Sequence, residues 1–371
     1  MVFPGPGDIS CKAKKYSTIK YCLTIGQTIY TLALLLLFQG SGLAKTLAAF
    51  LKGILVNNLA VTALYILILY GAYSLFILPL NLFQSFILER KFSLSKQSLR
   101  DWLIDQLKVG MISYIIGLLF IWVFYFILKH KPNNWWIFIS LFWVFLSVIL
   151  AKLTPLAIIP LFFKYKPLSD ASLKARIIAL ADKMQVRIID VFEIDFSKKT
   201  LKANAGFMGI GKTKRVILAD TLKDKYSQDE IEVILAHEFA HYRLKHLFKL
   251  ILSSVLGTTV SFYLIFKTSG YFFKVAGISS LSDIAGLPIV FIYFMLFGIV
   301  TSPLQNYISR RLEINADMLA LKVTGLKAAF ISTMEKLSFQ NLADRDPHPL
   351  IKFFFFDHPT IEERIFLAKK F

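Results

Sequence analysis

The sequence predicts a predominantly α, polytopic membrane protein, with about six transmembrane helices and a small α+β domain on the cytosolic side. Three observations carry that reading. Of 371 residues, 56% are hydrophobic and 35 are Phe, with a mean hydropathy of +0.59, a composition suited to lipid and unlike that of a disordered or wholly soluble chain. The apolar residues gather into runs of the length a bilayer demands, about 20 helical residues for a hydrocarbon core of roughly 30 Å. The basic excess, 43 Lys+Arg against 24 Asp+Glu for a net charge of +19, lies between those runs and so points to membrane topology rather than to nucleic acid.

Residues 21–42 form the first run. They follow Lys12, Lys14, Lys15 and Lys20, as a signal peptide would, but about 20 residues is long for a signal-peptide core, so a retained span is predicted. Runs at 55–86, 107–129 and 134–163 complete an N-terminal region of four spans over residues 1–163. A segment of different composition, 164–246, precedes a second membrane region over 247–306, with spans at 247–267 and 285–306; residues 307–371 read as C-terminal helices. An even number of crossings returns both termini to one side. Arg90, Lys91, Lys96 and Arg100 share that side with segment 164–246 and the C-terminal tail, while the opposite side shows only pairs such as Lys45 with Lys52. Short cytoplasmic loops carry the Lys/Arg excess, so the first side is predicted to be the cytosol. Trp135 and Trp136 fit an interfacial belt rather than base stacking, and no nucleic-acid partner is expected. Cys11 and Cys22 lie at or before the first span, which excludes a disulfide-stapled secreted scaffold.

Within 164–246, Ser169-Asp170 followed by Leu173, Ile177, Ile178, Leu180, Ala181 and Met184 predicts a capped helix over 169–185. Residues 186–196 and 215–219 are short and β-branched, which predicts a small strand pair or sheet. Residues 206–213 satisfy the P-loop pattern literally. A P-loop must open a helix whose amides hold phosphate, whereas Arg215 to Leu218 read as a strand, so a turn is predicted and no nucleotide. Ser227-Gln228-Asp229-Glu230 then forms a capping-box signature that opens the next helix.

That helix carries Leu235-Ala236-His237-Glu238-Phe239-Ala240-His241. Histidines at i and i+4 stand on one helical face and can share a Zn²⁺, while the intervening Glu238 can reach a water activated by it. A hydrolytic zinc site needs a third protein ligand and an open position. Glu313 is the best candidate, because two crossings after the His helix bring the chain back to the same face of the membrane. Asp317, one turn further on, can accept a histidine N–H and orient it. The bland reading of Glu313 and Asp317 beside Arg310 and Arg311 is a solvated helix end. His246 falls nine residues after His237, about 180° round a continuous helix, and on that reading points away from the metal.

Together these residues resemble the type I CAAX prenyl endopeptidases, integral-membrane zinc peptidases. The resemblance runs from about residue 55 to the C-terminus. Its blocks are Leu78-Pro79, then Phe86 to Arg90 with Asp105 and Lys108, Ile159 to Phe162 with Pro167-Leu168, Asn204-Ala205, Arg215 to Leu222, the two metal motifs, and His358-Pro359. It implies one zinc ion held by His237, His241 and Glu313, with Glu238 as general base. It places Asn204 and Ala205 on a strand edge that pairs with an extended substrate, and gives His358 and Arg364 the substrate carbonyl or developing oxyanion. It also implies a water-filled chamber enclosed by the membrane helices, and peptide or prenylated protein substrates cut near their C-terminus. The chain departs from the pattern in showing six spans rather than seven, Gly206 where an aromatic residue is usual, and neither an acidic insertion before the metal helix nor a terminal retrieval signal; it resembles a compact member, in a bacterial or archaeal cytoplasmic membrane or the ER. His348-Pro349 duplicates the His-Pro pair, but Glu362, Glu363 and Arg364 follow the second. Two other functions fit parts of the sequence. Heat-shock-type quality-control membrane proteases have shorter chains, and an inactive transporter or scaffold would place ionisable residues within its spans, where only Lys152 stands out here.

Overall fold

A computed structural model describes residues 6–208 and 215–371. Its first half is helical: α1 (Pro6–Gly40), α2 (Leu43–Ile54), α3 (Asn58–Leu82), α4 (Leu88–Lys91), α5 (Leu99–His130) and α6 (Trp135–Leu153). Six helical stretches of the described residues are long and apolar enough to cross a bilayer: Cys11–Gly40, Asn58–Lys91, Leu99–His130, Trp135–Leu161, His246–Val275 and Ile284–Thr324. They expose large apolar side chains, among them Leu37, Leu75, Phe145, Leu256 and Val300, as lipid-facing helices do. The protein is an integral membrane protein of predominantly α fold, as its hydropathy pattern predicts.

Helix α2 lies in what the sequence reading treats as a connecting loop. At 12 residues it is too short to span, and it buries Ala44, Ala48 and Leu51 against α3 and the turn at Ile284–Gly286. The second and fourth spans each contain a π-helical turn beside a proline, Phe83–Ile87 after Pro79 and Thr154–Ile158 with Pro155. Proline withholds an N–H from the helical ladder, and a widened turn accommodates the gap.

The second half begins with β1 (Tyr165–Pro167) and α7 (Ala171–Lys183), whose N-cap Asp170 accepts the Leu173 N–H at 2.9 Å. Strands β2 (Asp190–Ile194), β3 (Ala205–Met208) and β4 (Arg215–Ala219) join β1 in a sheet ordered β1-β2-β4-β3. The β2–β4 pair is parallel and both flanking pairs are antiparallel, so the predicted strand pair is the centre of a four-stranded sheet. The P-loop-like stretch contributes β3, and β4 rather than a helix starts at Arg215; residues 209–214 lie outside the described part. The short α8 (Asp220–Lys223) then leads to α9 (Gln228–Arg243), α10 (His246–Val275), α11 (Leu287–Thr324), α12 (Lys327–Asn341), α13 (Pro349–Phe355) and α14 (Ile361–Lys370).

Helix α9 sits at the centre of this half. Its Ile231, Leu235, Ala236, Phe239 and Ala240 share one core with Val216 and Leu218 of β4, Leu173 and Ile177 of α7, and Ala316 and Ala320 of α11. The loop between the second and third spans docks onto the same unit: Leu201 donates its N–H to the Leu94 carbonyl at 2.8 Å, and Lys202 pairs with Glu89 at 2.9 Å. Asp105 and Lys108, two residues of the family resemblance, tie the third span in place by pairing with Lys199 at 2.6 Å and by donating to the Leu161 carbonyl at 2.8 Å.

Candidate metal centre

The His helix is fixed at its start before its chemistry begins. Ser227 Oγ accepts the Glu230 N–H at 3.3 Å and Glu230 accepts the Ser227 N–H at 2.7 Å, the reciprocal cap read from the sequence. The buried Glu230 carboxylate also accepts from Lys336 and Ser332 of α12, at 2.7 and 2.6 Å, which locks the α9 terminus to its neighbour. Further along, Ala236 and Ala240 face Ala316 and Ala320 of α11, all four inaccessible to solvent. With methyl groups on both sides the two backbones approach closely, and Glu313 of α11 comes within reach of both histidines.

His237 and His241 turn their Nε2 atoms towards each other at 3.0 Å. Glu313 Oε2 lies 3.2 Å from the first and Oε1 lies 3.2 Å from the second. These three residues form the one His/Cys/Asp/Glu group among the described residues whose ligand atoms gather closely enough to hold a metal ion. The fit can be tested by arithmetic. Tetrahedral bonds of about 2.0–2.1 Å to nitrogen and oxygen separate neighbouring ligand atoms by about 3.3 Å, close to the 3.0 Å between the two Nε2 atoms and to the 3.2 Å from each of them to its nearer Glu313 oxygen, the carboxylate turning a different oxygen to each ring. Glu313 Oε2 is moreover buried, with no well-formed hydrogen bond and with His237 Nε2, at 3.2 Å, as its ion-pair partner among the described residues.

The ring nitrogens facing away from this point are also engaged. Asp317, fully buried, accepts from His237 Nδ1 at 2.8 Å and is itself clamped by Arg364, Nε to Oδ2 at 2.8 Å and Nη2 to Oδ1 at 2.6 Å. Burial pulls the His237 imidazolium down, but the carboxylates of Asp317 and Glu313 outweigh it and carry its pKa up to about 9. A cation taking Nε2 must therefore displace a proton. Glu238 projects from the same turn. Burial raises its carboxyl above the ordinary range, against the opposing pull of His237 and His241, in the direction a proton acceptor working near neutrality requires.

His358 approaches from the C-terminal side, its Nε2 3.6 Å from Glu313 Oε1. Its Nδ1 pairs with Asp357 at 2.8 Å, and that bond, opposed by burial, raises its pKa. The duplicate, His348, is exposed and caps its own helix by accepting the Leu350 N–H at 3.3 Å, so the second His-Pro pair faces the centre. Ala205 opens β3, an edge strand packed on α9. The adjacent Asn204 is exposed and its backbone carbonyl accepts the Ala219 N–H at 3.1 Å. Arg364 stands behind His237, two of its donors committed to Asp317.

The sequence reading missed three residues. Asp357 steadies His358, and its position next to a singled-out histidine was the available signal. Arg310, read as part of a solvated helix end, donates to the carbonyls of Lys352 and Phe356 and so fixes the loop that carries His358. His246 is a correction: it does not point away from the metal site. Helix α9 ends at Arg243, Lys245 adopts a left-handed conformation at φ 55°, and the imidazole turns back until its Nδ1 is 3.0 Å from His241 Nδ1. Position nine lies opposite position zero only on a continuous helix, and this one is interrupted at Leu244–Lys245.

Residues 167–370 match the model of peptidase family M48, and residues 9–164 match that of the CAAX prenyl protease N-terminal region of five membrane helices. The chain belongs to peptidase family M48. Among M48 relatives, CAAX prenyl protease 1 of Saccharomyces cerevisiae is 30% identical over 95% of this chain and 84% of its own. An uncharacterized metalloprotease of Bacillus subtilis, YhfN, is 29% identical over 99% of this chain and 87% of its own. The crystal structure of S. mikatae Ste24p superposes with a TM-score of 0.86 at 28% identity, covering 97% of this chain and 88% of that one. The M48 assignment makes the protein a membrane metalloprotease and agrees with the family its motifs resemble.

Proposed function

We propose that the protein is a zinc endopeptidase that cuts peptide bonds near the C-terminus of prenylated or similarly extended substrates, with its site facing the cytosol. The observation that carries this reading is the Glu313 carboxylate, delivered after two membrane crossings to within 3.2 Å of Nε2 on both His237 and His241. Two imidazoles and a carboxylate, with no thiolate, are a donor set suited to hydrolytic zinc with one position left open. His237, His241 and Glu313 would hold the ion, whose contribution is to polarise the scissile carbonyl and to make water acidic near neutral pH.

The remaining work falls to the chain. Glu238 accepts the proton of the attacking water on its carboxylate and returns it to the leaving amine, so no covalent intermediate is required. His358, held by Asp357, donates to the substrate carbonyl oxygen as negative charge develops there; one such donor is typically worth about 3 kcal/mol of barrier. Arg364, with Nε and Nη2 committed to Asp317, keeps His237 in place, and we assign it that role instead of direct contact with the carbonyl. Asn204 and Ala205 begin the edge of β3, alongside which an extended peptide can lie as an added strand. The cytosolic orientation is supported by the docking of the basic loop between the second and third spans onto the metal-bearing unit.

The test pairs metal content with hydrolysis. Glu238→Gln should retain zinc by elemental analysis and lose cleavage of a farnesylated peptide, and His237→Ala should lose both. Turnover by Glu238→Gln equal to wild type would end this mechanism.

A further inference from the structure

We propose that His246 is a positioning residue for the metal centre: its neutral imidazole accepts the Nδ1–H of His241 and so fixes the tautomer and ring plane in which His241 presents Nε2. The proposal rests on the metal reading above and deepens it. Three observations, each independent of the family resemblance, support it.

The first is the hydrogen bond. If His241 Nε2 faces the metal with its lone pair, its proton must reside on Nδ1, and the atom 3.0 Å from that nitrogen is His246 Nδ1. The donor–acceptor direction follows: His241 donates and His246 accepts. Ligating histidines generally give their second N–H to an orienting acceptor. Here the two ligands use different acceptors, the Asp317 carboxylate for His237 and an uncharged ring for His241.

The second observation is what this arrangement leaves over. With Nδ1 accepting, the His246 proton lies on Nε2. That atom is buried in a residue only 1% exposed and finds no hydrogen-bond partner. An unsatisfied buried donor costs on the order of 1–3 kcal/mol, so a histidine serving only to fill space would be replaced to advantage by an apolar side chain.

The third is the backbone that places it. Leu244 and Lys245 break what would otherwise run on from α9 into α10, and Lys245 sits at φ 55°, a conformation unfavourable for a side chain with a Cβ. Without the break, residue 246 would fall on the far side of the helix. The strained turn is what brings the ring back onto His241, with ring centroids 5.0 Å apart and planes at 77°.

The experiment uses the full-length protein in detergent, with zinc itself as the probe, and compares two variants. His246→Phe keeps a ring but has no acceptor; His246→Gln restores an acceptor oxygen. Zinc affinity is read by competition with a chelator of known affinity, and unfolding temperature is read on the metal-free protein. His246→Phe should bind zinc 10–100-fold more weakly, the usual cost of losing an orienting partner, while its metal-free form unfolds at or above the wild-type temperature because the unpaired nitrogen is gone. His246→Gln should recover most of the affinity. Loss of zinc by both variants with unaltered metal-free unfolding still supports the role and shows that an imidazole is required. Wild-type affinity in His246→Phe overturns the proposal, as does a loss accompanied by lower metal-free unfolding in both variants, which marks a packing role. A wild-type protein that takes up no zinc sinks the metal reading itself, a result distinguishable from either.

Discussion

The buried Asp317–Arg364 pair offers the sharpest separation of stability from metal binding. Asp317→Asn preserves shape and one acceptor oxygen but removes the charge, leaving the Arg364 guanidinium beside an amide with only 11% of its side chain exposed. Two unit charges about 4 Å apart interact by about 4 kcal/mol at an effective dielectric of 20, and removing one partner of a buried pair typically costs about 3–5 kcal/mol. At roughly 2 °C per kcal/mol, the lower figure for larger domains, the unfolding temperature should fall by at least about 6 °C. Zinc affinity should fall 10–100-fold as well, because His237 loses the carboxylate that orients it. Adding Arg364→Met takes away the stranded cation and fills its volume, so the double variant should regain most of the stability without regaining zinc affinity. The assay is paired, thermal unfolding of the metal-free protein and chelator competition on the same preparations. A single variant that melts within about 2 °C of wild type, or a double variant that regains zinc affinity along with stability, would refute this division of labour between Asp317 and Arg364.

Ala316→Leu should destabilise by about 1–3 kcal/mol, since it pushes α11 off α9 at a contact between fully buried alanines, and elemental analysis should find less bound zinc. Asp357→Asn should shift the alkaline limb of kcat/KM to lower pH. Asp357 raises the His358 pKa and so preserves the protonated donor to higher pH, while the acid limb, set by Glu238, should stay where it is. Chelation should lower the wild-type unfolding temperature by an amount that grows with the free zinc it removes, about 2.7 kcal/mol of stabilisation at one hundred times the dissociation constant. The His237→Ala protein should not respond.

What could be read in the sequence follows from where the determining forces act. Spans are legible because lipid imposes one requirement along a whole helix, and the six runs reappear with shifted ends. α1 starts at Pro6 rather than residue 21, since a basic turn continues a helix without raising its hydropathy. The capping box at Ser227 and the His237–Glu238–His241 turn are local and carry their own geometry. Glu313 was reachable by topology alone. The sheet order was not, because the parallel β2–β4 pair and the use of β3 as an edge depend on tertiary packing, and α2 was hidden by its length. His246 was misplaced because left-handed turns are usually announced by glycine, and this one is made by Lys245.

The centre's dependence on a hairpin through the bilayer follows from the same geometry. Its histidines belong to α9 and its carboxylate to α11, and the chain between them runs through two helical stretches that are each long and apolar enough to cross a bilayer. At 1.5 Å per residue, the 38-residue α11 is about 57 Å long, well beyond the roughly 30 Å of hydrocarbon, so one helix is seated at both ends. At the far end, Gly286 leads into it where a Cβ would meet the Phe273 ring of α10 at 2.1 Å; at the near end, Ala316 and Ala320 settle onto Ala236 and Ala240. Both contacts are made with the smallest residues available, and neither can be adjusted without sliding or tilting the whole of α11. A displacement of 1 Å along this rod would carry the Glu313 carboxylate well out of its 3.2 Å contacts with His237 and His241. The position of Glu313 is therefore set as much by helix packing within the membrane as by the domain in which the histidines lie.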